Sequence, residues 1–280
     1  DGGPLPAPSG QQRTRDMYNF DFVKPTTLAE AIEALQSDEA QPLSGGQTLL
    51  PTMKQRLASP SDLIDIGGLA SLQGSRAEQG RVVIGAMTTH ADVANSAVVQ
   101  ESIPALAELA GHIGDPAVRN RGTIGGSVAN ADPAADYPAA VLALNAEVET
   151  NQRTIEADDF FTDIFETALD EHEMVTGVSF PIPDQAAYMK FPNPASRYAI
   201  VGVMVAVFGK EVRVAVTGAG PNAFRMSEME AALKNSFTPE AIKDIALADD
   251  GLNSDIHASA EYRAHLVNVM ARRAVTKASS

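Results

Sequence analysis

The sequence predicts a mixed fold, an N-terminal α/β region followed by a separate α+β domain. Three observations lead there. Residues 25–66 pass from a helical apolar stripe to short extended runs and a second helical run, the order of a small α/β unit. Two glycine pairs, Gly45-Gly46 and Gly125-Gly126, stand 80 positions apart, each in a short polar segment between apolar residues. In the last third, strands come first and helices afterwards, which suits an α+β domain. At 280 residues the chain is long enough for a full core and two or three subdomains.

Taken in order, residues 1–16 are rich in Gly, Pro, Gln and Ser, lack periodicity, and read as a disordered tail or an expression remnant. Thr27 with Glu30 forms a capping box for a helix whose Leu28, Ala31, Ile32 and Leu35 share one face. Residues 41–43 extend into the first glycine segment. Residues 48–57 read as a helix, with Pro51 acceptable only near its first turn. Strands are expected over 61–66 and 81–86, with Thr88 or Thr89 capping the helix that follows. Leu106, Leu109, Ala110 and Ile113 mark another helical stripe. Few helix-forming runs lie between Asp115 and Asp136, so the second glycine pair is expected in a loop. Residues 137–144 read as a helix, and 147–150 and 173–180 as strands. Pro181 and Pro183 mark a boundary.

The last third opens with a loop over 191–194. A valine-rich strand (198–208) then turns through Gly209-Lys210, a pair suited to a type II′ hairpin, and returns over 211–217. Helices are expected over 227–234 and 239–247. Tyr262, Leu266, Val269 and Met270 mark a final helix. Arg272, Arg273 and Lys277 lie near its C-terminus, where the dipole favours cations.

Composition excludes several functions. A net charge of −15 argues against a nucleic-acid surface and against anionic membranes. No apolar run approaches the ~18 residues of a membrane span, and no hydrophobic signal segment is evident, so a cytoplasmic location is expected. The chain has no cysteine, which excludes disulfides, thiol catalysis and ordinary iron–sulfur ligation. Five scattered histidines make a structural zinc site unexpected.

The chemistry is in the glycine pairs. Glycine lets backbone amides approach a ligand closely, and amides presented near a helix start bind phosphate. Two such segments, Ser44-Gly45-Gly46-Gln47-Thr48 and Thr123-Ile124-Gly125-Gly126-Ser127, point to a diphosphate clamped between them. The alternative for each is a tight turn. Asp136 could accept a ribose hydroxyl or cap the next helix. Arg119 and Arg121 could offset phosphate charge or be solvated. Neither segment has the G-x-G-x-x-G or G-x-x-x-x-G-K-[ST] spacing, so neither a Rossmann site nor a P-loop is supported. His112 reads as a packed or surface residue.

With those residues in view, the chain resembles the FAD-binding middle subunit of the molybdenum hydroxylases, of the aerobic carbon monoxide dehydrogenase type; xanthine dehydrogenase has a related FAD domain. The resemblance runs from Tyr18 to Thr276. It is carried by Leu43-Ser44-Gly45-Gly46-Gln47-Thr48-Leu49-Leu50-Pro51, Val83-Ile84-Gly85-Ala86-Met87-Thr88, Arg121-Gly122-Thr123-Ile124-Gly125-Gly126-Ser127 and Ala260-Glu261-Tyr262-Arg263.

The resemblance implies a two-subdomain α/β FAD-binding fold of the vanillyl-alcohol-oxidase type over 17–70 and 71–183. A C-terminal α+β domain with an antiparallel sheet would follow over 184–280. It implies that Ser44, Gly45, Gly46, Gln47, Thr48, Thr123, Ile124, Gly125, Gly126 and Ser127 hold the pyrophosphate. Asp136 would bind the cofactor, Lys190 would lie near the flavin, Tyr198 beside the isoalloxazine ring, and Val175 or Thr176 would line it. Gln47 stands where some related flavin oxidases carry a histidine bonded to FAD, so non-covalent FAD is expected. Residues 191–196 depart from the basic run that usually follows the matched lysine in carbon monoxide dehydrogenases.

The implied partners are a molybdenum-cofactor large subunit and a 2Fe–2S small subunit, as a dimer of heterotrimers. Electrons would pass through FAD to an acceptor such as a quinone, and any membrane association would be peripheral, through the complex. A self-sufficient flavin oxidase or reductase and a non-catalytic assembly protein are the alternatives.

Overall fold

The computed structural model describes residues 17–280; the expected tail lies outside the described residues. Three sheets organise them, with one small hairpin besides. The first sheet is parallel. It contains β1 (Asp21–Val23), β2 (Gln41–Leu43) and β3 (Asp62–Asp65), with β3 in the middle. Pro42 is tolerated because β2 is an edge strand, where the missing N–H breaks no ladder. Helices α1 (Leu28–Ala34) and α2 (Leu49–Lys54) complete the unit. Thr27 caps α1 by accepting from the Glu30 amide, as expected. Glu30 reaches back to Thr26 instead of Thr27, one residue earlier than a capping box requires.

The second sheet is antiparallel, built from β4 (Ser75–Glu78), β5 (Arg81–Gly85), β6 (Glu147–Thr150), β7 (Thr154–Glu156) and β10 (Val175–Pro181) in the order β4-β5-β10-β6-β7. Six helices fill the connection from β5 to β6. These are α3 (His90–Asn95), α4 (Ala97–Ser102), α5 (Pro104–Gly111), α6 (Pro116–Arg119), α7 (Ile124–Asn130) and α8 (Tyr137–Ala143). Short α9 (Ala157–Phe160) and the hairpin of β8 (Phe161–Asp163) and β9 (Glu166–Thr167) lead into β10. Val82, Ile84, Val148, Val178 and Phe180 join Leu106, Leu109 and Val141 in one core. All seven residues of α8 are buried, which explains a helix apolar on every side.

The third sheet runs in chain order through β11 (Gln185–Pro192), β12 (Ala199–Phe208), β13 (Glu211–Thr217) and β14 (Phe224–Arg225). On one face, Val201, Val203 and Val205 pack with α10 (Ser227–Asn235) and α11 (Ala260–Ala278). On the other, Tyr188, Met204, Ala206 and Ala215 join the core around α8. Burial on both faces makes β12 a continuous apolar run instead of an alternating one. In the Gly209-Lys210 turn only Gly209 has positive φ, at 58°, as a type II′ turn requires.

The sheet is tied directly to the 133–136 segment. Thr217 Oγ1 donates to Ala135 O at 2.6 Å, Gly218 N to Pro133 O at 2.7 Å and Ala199 N to Ala134 O at 3.1 Å.

Three expectations fail. The loop expected over 191–194 begins two residues late, because β11 continues to Pro192 along β12. Its Gln, Ala, Met and Lys give it little β signal of its own, and pairing with the valine-rich strand decides its form. The helix over 239–247 is only a 3₁₀ turn, Pro239–Ile242. Asn268 of α11 donates to the carbonyls of Ile242 and Ile245, tying that end to α11 through a side chain. The second glycine pair lies inside α7, not in a loop.

Candidate functional site

A cavity of about 710 Å³ opens between the first two sheets and reaches the turn between β11 and β12 of the third. That lies within the range of roughly 300–1,000 Å³ usual for small-molecule and cofactor sites. Both glycine segments line it, together with Asn130, Asp132, Asp136, Val175 and the turn Ser196-Arg197-Tyr198.

The first segment links the end of β2 to the start of α2. Gly46 takes φ +68°, a conformation that disfavours any side chain. The amides of Gly45, Gly46, Gln47 and Thr48 make no hydrogen bond among the described residues, and all four residues line the cavity. Thr48 occupies the N-cap position of α2 without capping it through its side chain. This segment therefore offers several adjacent free donors on a wall of the cavity, a concavity suited to an anion.

The second segment differs from what was expected. Ile124 N donates to Thr88 O at 3.0 Å, Gly125 N to Ala86 O at 2.9 Å and Ser127 N to Thr123 O at 3.0 Å. Gly126 N donates to the capping hydroxyl of Thr123 at 3.1 Å. These four amides are already bonded within the protein. Ile124 is fully buried in the core and does not line the cavity. What Thr123, Gly125, Gly126 and Ser127 contribute is the shape of the wall.

Space explains the glycines. A Cβ on Gly45 would lie 2.0 Å from Arg121 O and 2.8 Å from Gly122 Cα. A Cβ on Gly126 would lie 2.5 Å from Ser44 Oγ. Gly45 thus makes room for the backbone of Arg121 and Gly122, and Gly126 for the side chain of Ser44, so one glycine of each pair lets the two segments close on each other.

Asp136 sits on the cavity wall with 4% of its surface exposed. It stands at the N-cap position of α8 yet makes no capping bond, which removes that alternative. Its Oδ1 accepts from Tyr188 Oη at 2.5 Å and its Oδ2 from Lys190 Nζ at 2.9 Å. Burial pushes the carboxyl up, while Lys190 and Tyr188 pull it down. Lys190 is itself buried, also donates to His112 O, and does not line the cavity. Asp132 lines the wall nearby, pushed up by burial, with Oδ1 accepting from Ala134 N. Tyr198 is 45% exposed on the rim, beside Arg197, whose φ is +64°. Burial raises the Tyr198 phenol, with Asp132 and Asp136 adding to it. Arg119 bonds the carbonyls of Ile113 and Gly114, a structural use of its charge.

Sequence reasoning missed Tyr188 and His90. Tyr188 follows no motif, and only the pairing of β11 brings it to Asp136. His90 lines the cavity beneath Gly122, and burial pushes its imidazole down to about 4. The signal for His90 was its place directly after the capping Thr89. Among the described residues, no group of three or more His, Cys, Asp and Glu could hold a metal, and no helix is long and apolar enough to cross a membrane.

Residues 18–183 match the model of the FAD binding domain in molybdopterin dehydrogenase, and residues 186–278 match the CO dehydrogenase flavoprotein C-terminal domain. The chain is 36% identical over 274 residues to the nicotine 6-hydroxylase medium subunit of Paenarthrobacter nicotinovorans, covering 92% of this chain and 97% of that one. It is 36% identical over 277 residues to the carbon monoxide dehydrogenase medium chain of Hydrogenophaga pseudoflava, covering 92% and 96%. The solved structure of carbon monoxide dehydrogenase from Hydrogenophaga pseudoflava superposes with a TM-score of 0.88, covering 94% of this chain and 98% of that one.

Proposed function

The chain belongs to the family of FAD-binding medium subunits of molybdenum hydroxylases, and from that premise we propose that it is an electron-transfer subunit. In this reading it takes electrons from the iron–sulfur clusters of a small subunit. It passes them to an external acceptor such as a quinone, in a cytoplasmic complex with a molybdenum-cofactor large subunit. When bound, FAD supplies the redox chemistry; the protein supplies binding, orientation and electrostatics.

The residues fit the cofactor. The observation that carries the reading is the run of unbonded amides from Gly45 to Thr48 on a cavity wall faced by the second glycine segment. Those amides, with the Thr48 hydroxyl, would hold the pyrophosphate, and Thr123, Gly125, Gly126 and Ser127 would close on it from the other side. Asp136 would accept from a sugar or ribityl hydroxyl. Val175 and Tyr198 would flank the isoalloxazine, excluding water with apolar and aromatic surface. Lys190 would act at one remove, by keeping Asp136 paired. That placement counts against a self-sufficient oxidase, because Lys190 is withheld from any substrate over the flavin. Gln47 has no imidazole to bond to the flavin, so FAD is held without a covalent link.

Two measurements test this. Acid precipitation of the purified holoprotein is expected to release all of its flavin into the supernatant; colourless protein that takes up no FAD on titration overturns the reading. Purification from the source is expected to bring down a molybdenum chain and an iron–sulfur chain, seen by metal analysis. Steady turnover of a small molecule by the isolated chain would instead favour the oxidase.

A further inference from the structure

Two side chains from one strand grip both oxygens of Asp136. Tyr188 and Lys190 are two residues apart on β11, so they point to the same side of the sheet. The tyrosine hydroxyl reaches Oδ1 at 2.5 Å and the lysine ammonium reaches Oδ2 at 2.9 Å. All three side chains are almost wholly buried. The neighbouring strand is shaped around the tyrosine. Gly202 of β12 pairs with Lys190, and a Cβ there would lie 2.1 Å from Tyr188 Oη. Only a residue without a side chain leaves the hydroxyl its path to the carboxylate.

We propose that Tyr188 is a positioning residue for Asp136, with Gly202 as the space that lets it act. From the third sheet it fixes the rotation of the carboxylate and leaves the remaining lone pairs of Asp136 aimed at the cavity. A carboxylate held by Lys190 alone would swing about a single contact. The inference rests on the proposal that Asp136 binds FAD.

The other groups facing Asp136 are His112 at the end of α5, Tyr137 at the start of α8, and Tyr198 on the cavity rim. Among the described residues, only Lys190 and Tyr188 bond its side chain. Removing the tyrosine hydroxyl takes a hydrogen bond from the ionised form, so the carboxylate gains a proton at higher pH. A protonated Asp136 leaves Lys190 as an unpaired buried cation and weakens the acceptor offered to the cofactor.

The test titrates FAD into the full apoprotein across the range from about pH 5 to about pH 9, following flavin fluorescence, for wild type, Tyr188→Phe and Tyr188→Phe/Asp136→Asn. In Tyr188→Phe, the pH at which affinity falls away is expected to lie about one unit or more above that of wild type, with affinities converging at high pH. In the double variant that added pH dependence disappears. A Tyr188→Phe curve that coincides with wild type, or is weaker by the same factor at every pH, overturns the proposal. Should the double variant not fold, His112→Gln in the Tyr188→Phe background takes its place. The shift is then expected to persist, and its loss would assign the effect to His112. Wild-type protein that binds no FAD would overturn the parent reading instead, so the two failures are distinct.

Discussion

A single added methyl at Gly45 would stand 2.0 Å from the Arg121 carbonyl, closer than two such atoms can come. Gly45→Ala is therefore expected to push the two glycine segments apart, costing about 1–3 kcal/mol by overpacking in a denaturant titration. It should also lower the flavin content of the purified protein. His90 makes a different residue-scale prediction. Its folded-state value is about 4, against 6.5 for an unperturbed histidine, because burial disfavours the cation and Arg119 adds repulsion. The unfolded chain therefore takes up the proton first as pH falls. Neutral His90 contributes its stability in full above about pH 6.5, and that stability is lost between about pH 6.5 and 4. The loss attributable to His90 amounts to about 3 kcal/mol. His90→Phe should flatten this part of the stability curve relative to wild type. An unchanged slope would show that His90 protonates freely in the folded protein.

At the scale of elements, the third sheet is fastened to the rest by side chains planted on its strands. Arg213 of β13 is almost fully buried, donates to Leu142 O at 2.9 Å and pairs with Asp158 at 2.5 Å. Arg213→Met leaves the end of α8 without that donor and is expected to cost about 2–3 kcal/mol by denaturant midpoint, toward the lower end for a buried pair. Asp158 retains Arg225, which limits the loss. The cap of α3 is a smaller contribution. Thr89 accepts from the Asp92 amide at 3.1 Å, and Thr89→Ala should cost about 1 kcal/mol. Elements with strong local signals were legible in the sequence. The 3.6 period marked α1 and α5, and the valine run with its Gly209 turn marked β12 and β13. β11 was not legible, because an edge strand of mixed composition owes its form to its neighbour. The helix α7 was hidden because its first turn holds two glycines, and it is held instead by Thr123 and by the carbonyls of Ala86 and Thr88.

Across the whole molecule, the cavity joins three parts that are far apart in sequence, so ligand binding and overall stability are coupled. Free FAD at about 100 times its dissociation constant should raise the unfolding free energy by about 2.7 kcal/mol. The melting temperature should rise with FAD concentration in wild type and stay flat in Gly46→Val. A side chain at Gly46 meets a φ of +68° and Leu50 at 2.8 Å. A melting temperature that climbs equally in the variant would mean that the first glycine segment does not hold the cofactor.

Class and family are legible in the sequence alone. Paired glycines, the Val83 to Thr88 run and the late Tyr262-Arg263 pattern are local strings, and local strings survive without knowledge of the fold. The sequence also singled out the first glycine segment, whose amides are free because the chain there turns from an edge strand into a short helix. The tertiary structure alone decided what the second segment does. Two of its amides, those of Ile124 and Gly125, donate to carbonyls some 40 positions earlier, and those of Gly126 and Ser127 turn back to Thr123; no local pattern reports a hydrogen bond across the longer distance. For the same reason only the folded chain could join Asp136 to Tyr188 and Lys190, more than 50 residues away. Burial then makes those contacts strong, by removing the water that would otherwise compete for each charge.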